Sequence, residues 1–242
     1  MPSKSTPRAL HHAPEFRRRL LRWFRRHGRD LPWRRTRNPY HITVSEFMLQ
    51  QTQVVRVQAY YQAFLTRYPT IEALAAARPR AVRESWEGLG YYRRAANLHR
   101  LAQAVVEEYD GIIPSDPEQL RALPGVGRYT AGAVASFAYE RATAVVDTNV
   151  ARVLRRAFHP RSKVSANHTR LWETAGRLIP GRGTTAWAFN QALMELGALV
   201  CTARIAKCEI CPVRQACKTG RLTSPRPKGP TGQRRGKPRR SR

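Results

Sequence analysis

Apolar side chains along this chain recur with the spacing of a helix, and the alternation that builds strands is almost absent. Phe16, Leu20, Trp23 and Phe24 fall at i, i+4, i+7 and i+8, one face of a basic helix. A long amphipathic stretch runs over 41–68, carrying Val44, Met48, Val55, Tyr60 and Phe64. Shorter helical segments follow at 71–77, 80–87, 93–109 and 117–122, punctuated by Pro69, Pro79, Gly88, Gly90, Gly111 and Pro114. The pattern resumes at 150–158, 168–179 and 187–200. Only 143–146 could pass for a strand, and it is too short to anchor a sheet. The expected fold class is all-α.

Four cysteines close the patterned region: Cys201, Cys208, Cys211 and Cys217, spaced C-x6-C-x2-C-x5-C in a chain with no others. Four crowded thiolates at unequal spacing suit a [4Fe–4S] cluster. A structural zinc site is the rival reading, although it usually shows two close pairs, and here only Cys208 and Cys211 form one. Two disulfides are the third reading. They fit poorly with a chain of 242 residues that begins without an apolar signal segment and is long enough to bury a core unaided.

Charge says what such a protein touches. The chain carries 44 Lys+Arg against 16 Asp+Glu, a formal +28. A surface this cationic asks for a polyanion, and nucleic acid is the commonest one. Neutralising about six phosphates would give log K a slope of roughly −5 against log salt. No apolar run approaches the ~20 residues of a spanning helix, and no lipidation motif is visible. The expectation is a cytoplasmic, nucleoid-associated protein. Residues 1–12 read as a flexible leader and 221–242, rich in Pro, Gly, Lys and Arg without an acidic residue, as a disordered basic tail.

Three further features bear on chemistry. Leu123-Pro124-Gly125-Val126-Gly127-Arg128-Tyr129-Thr130 separates two helical patterns. Gly125 and Gly127 can both take positive φ, keeping a turn tight enough to point backbone N–H groups at one DNA phosphate. Read alone, it is an ordinary interhelical turn. Asp147 follows Ala144-Val145-Val146 and precedes Asn149; read alone, it is a helix N-cap. Glu46 lies in an apolar helix beside Val44, Phe47, Met48 and Leu49; read alone, it is an exposed helix residue or the partner of a nearby Arg. Base excision needs two carboxylates in different protonation states, one in apolar surroundings keeping its proton and one ionised against developing positive charge. Glu46 and Asp147 occupy those two environments.

With these residues in view, the chain resembles the adenine DNA glycosylases of the MutY type, within the helix-hairpin-helix superfamily that includes endonuclease III. The resemblance is carried by Leu31-Pro32-Trp33-Arg34, by Ser45-Glu46-Phe47-Met48-Leu49-Gln50-Gln51-Thr52-Gln53 and by Trp86-Glu87-Gly88-Leu89-Gly90-Tyr91-Tyr92. The hairpin, Val146-Asp147-Thr148-Asn149-Val150, the run from Phe189 to Gly197 and the four cysteines complete it. It implies two helical lobes with a DNA-binding cleft between them: a six-helix lobe over 36–139 and a [4Fe–4S] lobe over 140–220 that residues 13–35 join. It implies a monomer acting on mismatched double-stranded DNA to remove adenine opposite 8-oxoguanine or guanine.

By motif position, Glu46 resembles the general acid that protonates adenine N7. Asp147 resembles the carboxylate that stabilises the sugar oxocarbenium ion, as in retaining glycosidases. Asn149 and Tyr129 match residues holding these groups. Arg34 and Gln191 match positions lining the adenine pocket, and Gln51 and Tyr91 match residues that wedge into the stack during base flipping. Outside the family context, Tyr91 and Tyr129 read as packing aromatics, and Gln51 and Gln191 as solvated helix positions. Bifunctional relatives place a Schiff-base lysine where Tyr129 stands, so the resemblance implies a monofunctional glycosylase. The cluster would fold the loop of Arg204 and Lys207 into a phosphate-facing knuckle, with Arg214 and Lys218 nearby.

Two departures accompany the likeness. The 25 residues after Cys217 leave no space for the Nudix-like C-terminal domain of the best-known members. Thr148 stands where the subfamily has glycine, and the Asp-Thr pair leans toward endonuclease III while Asn149 leans back. The alternatives are a mismatch thymine or uracil glycosylase on the same fold, and a non-catalytic iron–sulfur DNA-binding protein.

Overall fold

The computed structural model describes residue 10 and residues 12–161 and 169–222. The leader and the basic tail expected at the two ends therefore lie almost wholly outside the described residues. Those described form twelve α-helices and no strand, the nearest thing being an isolated bridge between Cys201 and Ala206. The all-α expectation is met. Residues 143–146 form no strand, and the Thr143 carbonyl accepts instead from Asn190 Nδ2 at 2.9 Å.

The helices are α1 (Ala13–His27), α2 (Pro39–Leu49), α3 (Val54–Arg67), α4 (Ile71–Ala75), α5 (Pro79–Glu84), α6 (Arg93–Glu108), α7 (Pro117–Ala122) and α8 (Arg128–Tyr139). They are followed by α9 (Thr148–Phe158), α10 (Thr169–Leu178), α11 (Gly183–Leu199) and α12 (Lys218–Leu222). Their starts are written locally. Asn38 caps α2 by accepting from the N–H groups of Tyr40 and His41, with Pro39 supplying a preset φ in the first turn. Asp116 and Pro117 repeat the device at α7, and Thr70 caps α4.

The amphipathic stretch expected over 41–68 is in fact two helices, broken at Gln50–Gln53. Gln51 sits in the left-handed region at φ 55, and the Arg94 guanidinium takes the carbonyls of Phe47 and Met48 that another turn would have used. Nor is the first half amphipathic. From Ile42 to Met48 every residue of α2 is buried, packed among α3, α6 and α8.

Two apolar cores divide the molecule. One gathers buried residues from Leu31 to Val145, around Trp86, Phe47, Phe64 and Leu98. The other joins Phe16 and Leu20 of α1 to buried residues from Val146 to Ala216, including Phe158, Leu171 and Phe189. The chain passes from the first core to the second between Val145 and Val146, one residue before Asp147. This gives two helical lobes, with Asp147 at their junction.

Candidate active site

Glu46 is only 3% exposed because α2 has no polar face. Among the described residues no arginine pairs with it, contrary to the ion pair that local sequence allows. Its Oε2 has no hydrogen-bond partner, while the Tyr129 hydroxyl hydrogen-bonds its carboxyl. Burial pushes the Glu46 pKa up to about 7; the Tyr129 hydrogen bond pulls it down and the Asp147 charge pushes it up further. Tyr129 lies in the first turn of α8, directly after the hairpin, so the fold brings α2 and α8 together at these two groups.

Asp147 is the N-cap of α9, as local sequence predicts. Its Oδ1 accepts from the Val150 N–H at 2.6 Å and its Oδ2 from Asn149 Nδ2 at 2.9 Å. Burial raises its pKa above the ordinary 3.8, and the bonds from Val150 and Asn149 together with the Arg152 charge work against that rise. Asp147 was expected to stay ionised, and its shift is upward. Two hydrogen bonds and a cation hold the Asp147 charge, whereas Glu46 has only the Tyr129 bond, so of the two Glu46 keeps its proton to higher pH. The Asp147 charge acts on Glu46, which puts the two carboxyls within electrostatic reach of each other near the lobe junction.

Arg34 and Gln191 are in contact, Arg34 Nε donating to Gln191 Oε1 at 2.8 Å. Gln191 is buried, not the solvated position its local sequence suggests. What binds them is a residue given no role from sequence, Glu195, which is fully buried. It accepts from Arg34 Nη2 at 2.8 Å and from Arg29 Nε at 2.7 Å. Burial pushes the Glu195 carboxyl up, but the bonds from Arg29 and Arg34 outweigh it and hold the pKa below its ordinary value. The available signal was periodicity, since Glu195 follows Gln191 by one helical turn on α11.

Gln51 and Tyr91 are exposed, Tyr91 at 61%, and both stand at positive φ, 55 and 48. Of the hairpin glycines, Gly125 takes φ 77, and a Cβ there would lie 2.7 Å from the Asn97 side chain. Gly127 departs from expectation: it caps α8 at φ −90 in extended backbone, and a Cβ there would meet nothing. Glycine is demanded only at Gly125.

The four cysteines line one cavity of about 30 Å³, also lined by Leu196 and Val200. None is in a disulfide. Burial pushes Cys217 up and Cys211 up to about 12, with the other thiols adding to the rise. Among the described residues no group of acidic, His or Cys side chains closes on a point as a single metal ion requires. Four thiols lining one cavity are a donor set that either a [4Fe–4S] cluster or a four-thiolate zinc site takes. Arg156 Nη1 lies 3.3 Å from Cys201 Sγ, and Arg152 donates to the Cys201 carbonyl at 2.8 Å and to Asn149 Oδ1 at 2.7 Å. Arg204 and Lys207 are exposed on the intervening loop. Lys218 donates from its ammonium to the Phe158 carbonyl at 3.0 Å, one of its three N–H donors.

The site thus combines a two-lobed helical fold, two acids near the junction, a hairpin beside Glu46 and a thiol pocket in the second lobe. The comparisons agree on the family. Residues 44–174 match the model of the HhH-GPD superfamily of base excision DNA repair proteins, and the chain belongs to that superfamily. It is 50% identical over 195 residues to the adenine DNA glycosylase of Mycolicibacterium smegmatis, a match covering 80% of this chain and 66% of that protein. It is 46% identical over 217 residues to the human adenine DNA glycosylase, covering 84% of this chain and 39% of that one. The chain thus spans from about two fifths to just under two thirds of these relatives' length. Its fold superposes on a thermostable thymine-DNA glycosylase with TM-score 0.82 and 32% identity, covering 87% of this chain and 97% of that one. Among the described residues no helix is long and apolar enough to cross a membrane.

Proposed function

We propose that this protein is an adenine DNA glycosylase that excises adenine mispaired with 8-oxoguanine or guanine from double-stranded DNA. The observation that carries the reading is Glu46: buried, one oxygen unpartnered, its pKa raised to about 7, and electrostatically coupled to Asp147. A carboxyl that keeps its proton at neutral pH can give it to adenine N7 as the glycosidic bond breaks. Asp147, its charge held by the Val150 N–H, Asn149 and Arg152, would face the oxocarbenium ion. Tyr129 orients the acid. It is a phenol with no amine to form an imine, so the product is an unbroken abasic strand.

Arg34 and Gln191, held by Glu195, would line the adenine pocket, and Gln51 and Tyr91 would fill the stack when the base leaves it. The N–H groups around Gly125 and Gly127 would grip a phosphate. The expected division into 36–139 and 140–220, with 13–35 joining the second, would shift in detail, because Leu31, Trp33 and Val145 pack in the first core. Cys201, Cys208, Cys211 and Cys217 would hold a [4Fe–4S] cluster; when bound, it cross-links the loop after α11 and draws the thiols into their deprotonated form. The protein would act as a monomer.

Single-turnover base release from 8-oxoG·A, G·A, G·T and G·U duplexes tests the reading. Release from the two A-containing duplexes, with strand breakage only after alkali, is expected. Preferential release from G·T or G·U would instead favour a thymine or uracil glycosylase, the specificity named for the solved structure it superposes on. If no duplex releases a base, a non-catalytic DNA-binding role remains. Asp147→Asn should abolish release while leaving DNA affinity intact.

A further inference from the structure

Arg94 is a buried cation without a carboxylate. It is 6% exposed and takes part in no ion pair among the described residues. Its two Nη groups are satisfied mostly by backbone carbonyls, while the buried Nε has no partner. One end, Nη1, donates to the carbonyls of Phe47 at 3.1 Å and Met48 at 2.7 Å, and also to that of Gln50. The other, Nη2, donates to Thr52 Oγ1 at 2.9 Å and to the carbonyls of Leu89 and Gly90, each at 3.1 Å. The plane lies 5.6 Å from the Trp86 ring centroid and 5.5 Å from that of Tyr91.

These partners fall in two groups. Phe47, Met48, Gln50 and Thr52 belong to the end of α2 and the turn that presents Gln51; Leu89 and Gly90 belong to the turn that presents Tyr91. Gln51 and Tyr91 are both non-glycine residues at positive φ, a conformation that persists only where surroundings over-determine it. A planar fork with five donors can span two loops at once, which a lysine ammonium cannot do. Arg94 also supplies positive charge to the negative end of α2.

We infer that Arg94 is the positioning residue that locks the Gln51 and Tyr91 turns into one rigid wedge, so that base extrusion meets a preformed plug. The inference rests on the proposed wedge roles of Gln51 and Tyr91. Its action is on extrusion and not on proton transfer, because Arg94 contacts backbone carbonyls beyond Glu46 and neither acid itself.

The test uses the full chain on a duplex with 2-aminopurine beside the target adenine, whose fluorescence rises as its neighbour unstacks. Arg94→Lys should lose most of that rise. It should lose about tenfold or more in single-turnover release from paired adenine, counted per active site. Release from adenine presented as an unpaired bulge, where extrusion costs least, should change less than about threefold. The alkaline limb of the pH profile should not move. Thr52→Val, which removes one acceptor and disturbs the fold less, should act in the same direction with smaller size, and it decides the matter if Arg94→Lys does not fold. An undiminished fluorescence rise in the folded variants would overturn the inference, as would an equal loss on bulged and paired adenine. A parent protein that releases no adenine would refute the proposed function and still leave the fluorescence to decide the role of Arg94.

Discussion

Replacing Glu46 by Gln tests the central electrostatic claim through stability, independently of activity. In the unfolded chain a glutamate titrates near 4.5, and in the fold burial lifts Glu46 to about 7. Between those values the native state holds a proton that the unfolded state has lost. Stability therefore falls as pH rises through this window and is flat above it. From pH 5 to pH 8 the loss from this one group is about 2–3 kcal/mol. An amide at this position cannot ionise, so the variant carries none of that loss. The amide also places a donor where Oε2 has no partner, which costs a roughly constant 1–3 kcal/mol at every pH. The quantity to measure is thus a double difference: urea unfolding free energies of parent and Glu46→Gln at pH 5 and pH 8. The variant should gain about 2–3 kcal/mol on the parent over that interval, because contributions from groups remote from Glu46 cancel. Parallel pH dependences would refute the raised pKa and, with it, the assignment of Glu46 as a standing acid. Base release by the variant should fall by about 10²–10⁴.

Other outcomes follow from single contacts. Tyr129→Phe removes the hydrogen bond that lowers the Glu46 pKa, so the alkaline limb of the rate profile should move to higher pH; a downward move would mean that the hydroxyl acts otherwise. Gly125→Ala meets both a left-handed backbone and the Asn97 side chain and should cost about 1–3 kcal/mol, whereas Gly127→Ala should stay within about 0.5 kcal/mol, both read from urea midpoints. Glu195→Gln strands Arg34, only 9% exposed, without a counter-charge and should destabilise by about 3 kcal/mol; a loss below about 1 kcal/mol would show that water reaches the pair.

Signals that were legible in sequence are local ones. Asp147, Asn38, Asp116 and Thr70 cap helices because a short acceptor side chain reaches N–H groups two or three residues on, and this needs no tertiary partner. The Gly125 turn and the spacing of the thiols are equally near-range. Family likeness then pointed to Glu46, Tyr129, Arg34 and Gln191, and the fold does bring each to its counterpart. Errors lay where long-range contact decides. The stretch 41–68 carries no proline or glycine to announce a break, and the break is held from outside by Arg94, more than forty residues along the chain.

Helical class, caps and thiol spacing were thus written in the order of residues, because each depends on neighbours a turn or two away. The packing of α2 alone settled that Glu46 would be buried and reach a pKa of about 7, since desolvation is summed over α3, α6 and α8, elements distant in sequence. The same holds for Glu195 between two arginines and for Arg94 astride two turns. A charge acquires its chemistry from whatever the fold places around it, and only the assembled core places those groups.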